Sequence, residues 1–238
     1  MKYLSDSNAK TTKGESLGIY TAILYLAPSR ESGVMNTCTN ASKGCSSKCV
    51  YFQGRGKFDS VVNARVKRTL DFAKNPKLFI ENIADDILEA EVKANNLGMK
   101  LAVRLNGTSD LPFELLGGFL KTNLFDRFPH VPFYDYTKNP NRAELFSQGK
   151  MPKNYDLTFS RSENNEKDCD RLIKLGVNVA AVFSTKKKDT LPESYNGIEV
   201  LDGDISDLRF MDKKGGYYVG LRAKGTASKD ITGFVIHV

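Results

Sequence analysis

The stretch Gly18 to Ala27, GIYTAILYLA, is the first continuous apolar run in this chain of 238 residues. A run of this length between polar segments is typical of a β-strand that is covered on both faces. The run VNVAAVFS at Val177 to Ser184 has the same character. Both stretches therefore predict buried strands of a sheet.

Helical spacing of apolar residues fills the segments between the strand-like stretches. Two helices are predicted over 58–73 and 80–92, with a break at Asn75-Pro76. Further helical segments are predicted over 45–51, 114–128, 141–146 and 167–175, the last of them closed by Gly176. The remaining predicted strands are KLAVRL (100–105), VPFYDY (131–136), YDLTFS (155–160) and 198–201, followed by a β-rich tail that holds 217–223 and 233–238.

Strands that alternate with helices indicate right-handed βαβ units around a parallel sheet. A complete TIM barrel has eight such strands in roughly 250 residues, and this chain offers about six. We therefore predict an α/β fold: a partial (β/α) barrel of about six parallel strands with a β-rich C-terminal tail. No repeat or linker composition divides the chain, which predicts a single domain over residues 1–238 that begins with a polar arm at 1–16.

The composition is that of a folded globular protein, with 40% hydrophobic and 26% charged residues. The net charge of +7 is compatible with anionic partners such as nucleotides or nucleic acid. The longest apolar stretch is far shorter than the ~20 residues of a membrane-spanning helix, and the polar N-terminus lacks the apolar core of a secretory signal. These features predict a cytoplasmic protein with reduced thiols and no membrane contact.

Three of the four cysteines lie within twelve residues, in CTNASKGCSSKC from Cys38 through Cys45 to Cys49. Three thiolates from one segment can hold three corners of a 4Fe-4S cluster and leave the fourth iron open for a substrate. Zinc is the main rival, although structural zinc prefers four ligands in two close pairs; three reduced, packed thiols are the third interpretation. Cys169, on an amphipathic helix, is predicted to be a buried thiol.

Polar side chains follow the predicted strands, where the ligand groups of α/β folds collect. The alternative for each Ser, Thr, Asn or Asp is that it caps the helix that follows. Asp202, Asp204 and Asp207 offer a weaker cation site, with a turn as the simpler interpretation. The predicted cofactor-binding residues are Asn106, Ser109, Asp110, Ser160 and Arg161, and the predicted catalytic residues are Asp110, Lys138 and Arg161.

Several stretches, in this order, resemble the phage protein family called gene product eighty-eight. They are NTCTNASKGCSSKCVYFQGRG, VRLNGTSDLPFE, FYDYTKNPNR, NYDLTFSRSENN, VNVAAVFS and VLDGDISDLRF. The resemblance covers nearly the whole chain and implies a phage or prophage origin and a host cytoplasmic setting.

The chain also resembles radical S-adenosylmethionine enzymes, which are partial barrels with a three-cysteine loop after the first strand. The resemblance implies that Cys38, Cys45 and Cys49 ligate a 4Fe-4S cluster and that its open iron binds S-adenosylmethionine. It also implies a reductant protein such as flavodoxin or ferredoxin. The cysteine gaps here are longer than the usual ones, and Asn106 to Asp110 stands where that superfamily has Gly-Gly-Glu, with Asp110 available for the amino group of the cofactor.

Two functions are therefore expected from the sequence. The first is an iron-sulfur enzyme of radical type, whose substrate class we expect to be a nucleotide or nucleic acid. The alternative is a cysteine-zinc or non-catalytic nucleic-acid-binding phage module, suggested by the charge of +7, the ten Tyr and the fourteen Phe.

Overall fold

The computed structural model describes residues 2–6, 14–119 and 122–238, and they divide into two compact units. The first unit is formed from Met1–Thr39, Phe58–Asp135 and Met151–Asp156. The second is formed from Asn40–Lys57, Tyr136–Lys150 and Leu157–Val238. The single domain over residues 1–238 stays a prediction.

Helices and strands alternate along the described part of the chain. The helices are α1 (Lys43–Ser47), α2 (Asp59–Lys74), α3 (Pro76–Asn96), α4 (Leu124–Arg127), α5 (Pro140–Ser147) and α6 (Glu166–Lys174). The strands are β1 (Leu4–Ser5), β2 (Ile19–Leu24), β3 (Lys100–Arg104), β4 (Phe133–Thr137), β5 (Tyr155–Ser160), β6 (Val179–Phe183), β7 (Ser194–Tyr195), β8 (Ile198–Asp202), β9 (Tyr218–Arg222) and β10 (Val235–Ile236). Short 3-10 helices lie at Val50–Phe52, Gly54–Lys57, Phe113–Phe119, Arg209–Met211 and Gly225–Lys229.

In the first unit the strands follow the order β1-β2-β3-β4. β2 is parallel to β3, and β3 is parallel to β4. Every residue of β2 is buried, as the apolar run predicted. β1 pairs antiparallel with β2, and the Asp86 carboxylate accepts the backbone N–H groups of Tyr3 and Leu4. This strand lies within the predicted polar arm, of which residues 1 and 7–13 are outside the described residues.

The break between the first two long helices is confirmed. The Asn75 side chain accepts a hydrogen bond from the Leu78 N–H at 3.1 Å, and Pro76 occupies the first turn of α3. The continuous helix predicted over 114–128 is wrong, because a 3-10 helix and the short α4 occupy this region, with residues 120–121 outside the described part. The Gly117-Gly118 pair disfavours a continuous helix, and Asn123 caps a new one.

In the second unit the strands follow the order β5-β6-β9-β8-β7. β5, β6, β9 and β8 are mutually parallel neighbours, and β7 is antiparallel to β8. β9 covers one edge of β6, so β10, which also pairs with β6, lies on the same edge as β5 and beyond its carboxyl end. The core of this unit packs Phe159, Leu172 and Phe183 between the sheet and α6.

The fold is therefore mixed α/β, with mostly parallel strands and a β-rich C-terminus, as predicted. The finer prediction, a partial barrel of about six parallel strands, stays a prediction. None of the helices in the described ranges is long and apolar enough to cross a bilayer.

Candidate metal and cofactor site

The first cysteine lies beside the loops that follow β2 and β3 in the first unit. The buried Thr37 hydroxyl donates to the Ala27 carbonyl at 2.6 Å, which fixes the residue before Cys38. The Cys38 thiol contacts the Thr108 carbonyl at 3.8 Å, and the Asp110 N–H donates to the Thr37 carbonyl at 2.8 Å. The structure thus brings Cys38 next to the loop that carries the predicted cofactor-binding residues Ser109 and Asp110.

Asn106 shapes this loop. Its side-chain carbonyl accepts hydrogen bonds from the Ser109 hydroxyl and the Leu111 N–H, both at 2.8 Å. Its amide group donates to the Leu111 carbonyl at 3.0 Å and to the Asp135 carboxylate at 3.1 Å. Two acceptor positions and two donor hydrogens are the whole capacity of an asparagine side chain. Asn106 therefore holds Ser109 and Asp110 in place, and its direct contact with a cofactor stays a prediction.

The second and third cysteines lie on a tight turn in the second unit. Ser42 caps α1, and its hydroxyl accepts the Cys45 N–H at 3.1 Å. Cys45 lies within this helix, and Cys49 lies two residues past its end. Both thiols are partly exposed and make no disulfide. The helix predicted over 45–51 instead runs over Lys43–Ser47, because the Ser42 cap starts it before Cys45, and a 3-10 turn follows at Val50–Phe52.

Glu163, just past β5, fastens this turn. Its two carboxylate oxygens accept the Ser42 hydroxyl and the Gly44 N–H, each at 2.7 Å. A side chain at Gly44 would come within 2.8 Å of the carboxylate and 2.6 Å of the Phe234 Cβ, so only glycine fits here. Partial burial raises the pKa of Glu163, but the hydrogen bonds from Ser42 and Gly44 outweigh it and the net shift is downward.

The C-terminal segment lies against this turn and is itself held by Arg161 and Asp230. The Arg161 guanidinium donates to the carbonyls of Gly233 and Phe234, at 2.9 and 3.1 Å, and pairs with the Glu166 carboxylate at 2.7 Å. Buried Asp230 accepts the Val235 N–H at 3.1 Å. Arg161 therefore holds this segment in place, and its charge is paired with the carboxylate of Glu166.

Lys138 and Ser160 meet at the carboxyl ends of β4 and β5. The Lys138 ammonium donates to the Ser160 hydroxyl at 2.6 Å and lies 5.6 Å from the centre of the Phe234 ring. Both residues are half-buried. The structure thus brings together the predicted site residues Lys138, Ser160 and Arg161, the last through its clamp on the Phe234 backbone.

The aspartates that end β8 have partners within the chain. Arg222 binds the Asp202 carboxylate through two nitrogens, each at 2.9 Å, and Lys224 reaches Asp204 at 2.6 Å. The hydrogen bonds from Arg222 lower the pKa of Asp202. For Asp204, burial raises the pKa, but the bonds from Lys224 and Arg222 make the net shift downward. Their structural role as ion-pair partners is the one the geometry supports.

Among residues 2–6, 14–119 and 122–238, no three or more His, Cys, Asp or Glu side chains are grouped to hold a single metal ion. Cys169 is fully buried, as predicted, and burial raises the pKa of its thiol to about 12. It therefore stays protonated at neutral pH.

A family model described as Gene product 88 matches residues 2–238. The chain belongs to the Gene product 88 family. This confirms the family resemblance seen in the sequence. Searches of curated proteins and of solved structures found no significant match for this Gene product 88 protein. The likeness to radical S-adenosylmethionine enzymes thus has no support from the comparisons and stays a prediction.

Sequence reasoning missed the groups that fasten the cysteine turn. Neither Glu163 nor Ser42 is among the site residues that the sequence predicts. The signal that was available is local: a serine three residues before Cys45 matches a helix N-cap. The partner of that cap lies 121 residues away in the chain, so no local pattern identifies it.

Proposed function

We propose that this protein is an iron-sulfur enzyme resembling radical S-adenosylmethionine enzymes, with Cys38, Cys45 and Cys49 as ligands of a 4Fe-4S cluster. One observation supports it most. In each unit, one part of the cysteine segment lies against the carboxyl ends of parallel strands, near Thr108 in the first and Glu163 in the second. Cofactor sites of α/β folds form at these strand ends.

The ligand chemistry favours a cluster over a single ion. A zinc ion needs its donors gathered around one point, and four are usual in a structural site. A cuboidal cluster binds each thiolate at a different iron, so its ligands stand farther apart. Three partly exposed thiols that come from one segment and form no disulfide suit a cluster.

The strand order of the first unit is compatible with a partial barrel, because its parallel strands follow chain order, β2-β3-β4. In the second unit β5 and β6 also follow chain order, but β9 lies between β6 and β8, so chain order is broken there. Within this proposal the partial (β/α) barrel rests on β2-β3-β4 and on β5-β6.

The residues of the chain have binding and positioning roles in this proposal. Asp110 offers a carboxylate to the amino group of S-adenosylmethionine, with Ser109 beside it. Lys138, steadied by Ser160, supplies positive charge for a carboxylate or phosphate, which fits a nucleotide or nucleic-acid substrate. When bound, the cluster supplies the single electron that the cofactor chemistry needs, and the protein orients and shields the reactants.

Anaerobic reconstitution tests the proposal. We expect about four irons and four sulfides per chain, and an electron paramagnetic resonance signal of the reduced protein that changes on addition of S-adenosylmethionine. The variant with Cys38, Cys45 and Cys49 all replaced by Ala should lose the iron. Cys169→Ala is the matched control and should retain it. A colourless protein with stoichiometric zinc would overturn the proposal.

A further inference from the structure

We propose that Glu163 is a positioning residue, which holds the cysteine turn in the arrangement that a bound cluster requires. The inference rests on the proposed function, since it assigns Glu163 to the same site. Glu163 does not itself reach the metal in this proposal; it acts through Ser42 and Gly44.

The argument starts from the hydrogen bonds of the turn. A five-residue helix such as α1 is too short to be stable by itself, because nucleation of the first turn is unfavourable. The Glu163 carboxylate accepts hydrogen bonds from two residues just before Cys45: the Gly44 N–H and the Ser42 hydroxyl, each at 2.7 Å. Ser42 in turn accepts the Cys45 N–H. Without this carboxylate, the Gly44 N–H and the Ser42 hydroxyl lose their acceptor, and the helix cap Ser42 is no longer held in place.

Charge and packing both favour this role. Burial raises the pKa of Glu163, but those same hydrogen bonds outweigh burial and make the net shift downward. The carboxylate is therefore ionised at neutral pH. Bonds to an ionised acceptor are about twice as strong as neutral ones. Gly44 also packs directly against Thr232 and Phe234, so the turn is held between Glu163 and the C-terminal segment. Another carboxylate after β5, Glu166, pairs instead with Arg161.

Hydrogen-deuterium exchange of the iron-free protein tests the role without reference to any metal. In Glu163→Ala, we expect the amides of Gly44 and Cys45 to exchange about tenfold faster than in the wild type. Glu163→Gln keeps an acceptor oxygen without the charge and should give an intermediate rate. Glu199→Gln, at an exposed glutamate paired with Lys213, is the matched control and should leave the exchange unchanged. Equal exchange in Glu163→Ala and the wild type would overturn the proposal.

The reconstituted protein gives the second readout. Glu163→Ala should bind less iron than the wild type and show an altered resonance signal of the reduced cluster, with Glu163→Gln restoring part of both. Iron content and signal identical to the wild type would overturn the positioning role. A wild type that takes up no iron would instead overturn the proposed function, while the exchange rates report on Glu163 separately.

Discussion

At the scale of single residues, the loop after β3 depends on one buried amide. Asn106 is 2% exposed and makes four side-chain hydrogen bonds, two of them with Leu111. Asp135, its other main partner, is 1% exposed, accepts the Asn106 backbone N–H at 2.7 Å and the Tyr155 hydroxyl at 3.1 Å, and lies near Arg104. A buried network of this kind is stable only while its members are satisfied.

We therefore expect Asn106→Ala to lower the free energy of unfolding by about 2–4 kcal/mol, because it leaves buried groups of Leu111 and Asp135 with fewer partners. Urea unfolding of the two proteins measures the difference. Asn95→Ala, at an exposed position near the end of α3, is the matched control and should change stability by less than about 0.5 kcal/mol. A loss of similar size in both variants would refute this account.

At the scale of elements, β1 is held by charged contacts of the residue that follows it. The Asp6 carboxylate accepts the Lys2 ammonium at 2.6 Å, the Tyr20 hydroxyl at 2.7 Å and the Lys93 ammonium at 3.3 Å. Burial raises the pKa of Asp6, but these partners outweigh it and lower the pKa to about 2. They connect β1 to β2 and to α3.

The depressed pKa of Asp6 makes stability depend on pH. An aspartate in the unfolded chain has a pKa of about 3.9, so the contribution of Asp6 is complete above that pH and is lost as the pH falls toward 2. Asp6→Asn should remove on the order of 2 kcal/mol at pH 6 and very little at pH 2. Urea unfolding at both pH values measures it. Asp85→Asn, at an exposed site on α3, should show no such difference; a loss that is equal at pH 6 and pH 2 would contradict the role of Asp6.

Some elements of the fold could be predicted from the sequence, and others could not. β2 and β6 were predictable because continuous apolar runs are buried wherever they lie in a sheet, and the helix break because Asn75-Pro76 acts locally. β1 was not, since its anchor Asp86 lies 82 residues along the chain from Leu4. The candidate site divides in the same way: the cysteine spacing is visible in the sequence, whereas the Glu163 anchor arises only from tertiary contacts.

At the scale of the whole molecule, the net charge of +7 bears on the substrate class of the proposed enzyme. Asp202 and Asp204, at and just past the end of β8, form internal ion pairs with Arg222. The Lys186-Lys187-Lys188 run, by contrast, is exposed between β6 and β7. Exposed ammonium groups of this kind bind phosphates by releasing counterions, which makes the affinity depend on salt.

We therefore expect the protein to bind single-stranded DNA or RNA at low salt, with an affinity that falls steeply as salt is raised. Replacement of all three lysines of the run by Ser should lower the magnitude of the slope of log affinity against log salt by about two. Fluorescence anisotropy with a labelled oligonucleotide measures both slopes. Lys77→Ser, at an exposed lysine on α3, is the single-charge control and should change the slope by less than one. Absence of binding at low salt would remove nucleic acid from the proposed substrates. A free nucleotide would then remain as the substrate class, since it carries too few phosphates to show a salt slope of this size.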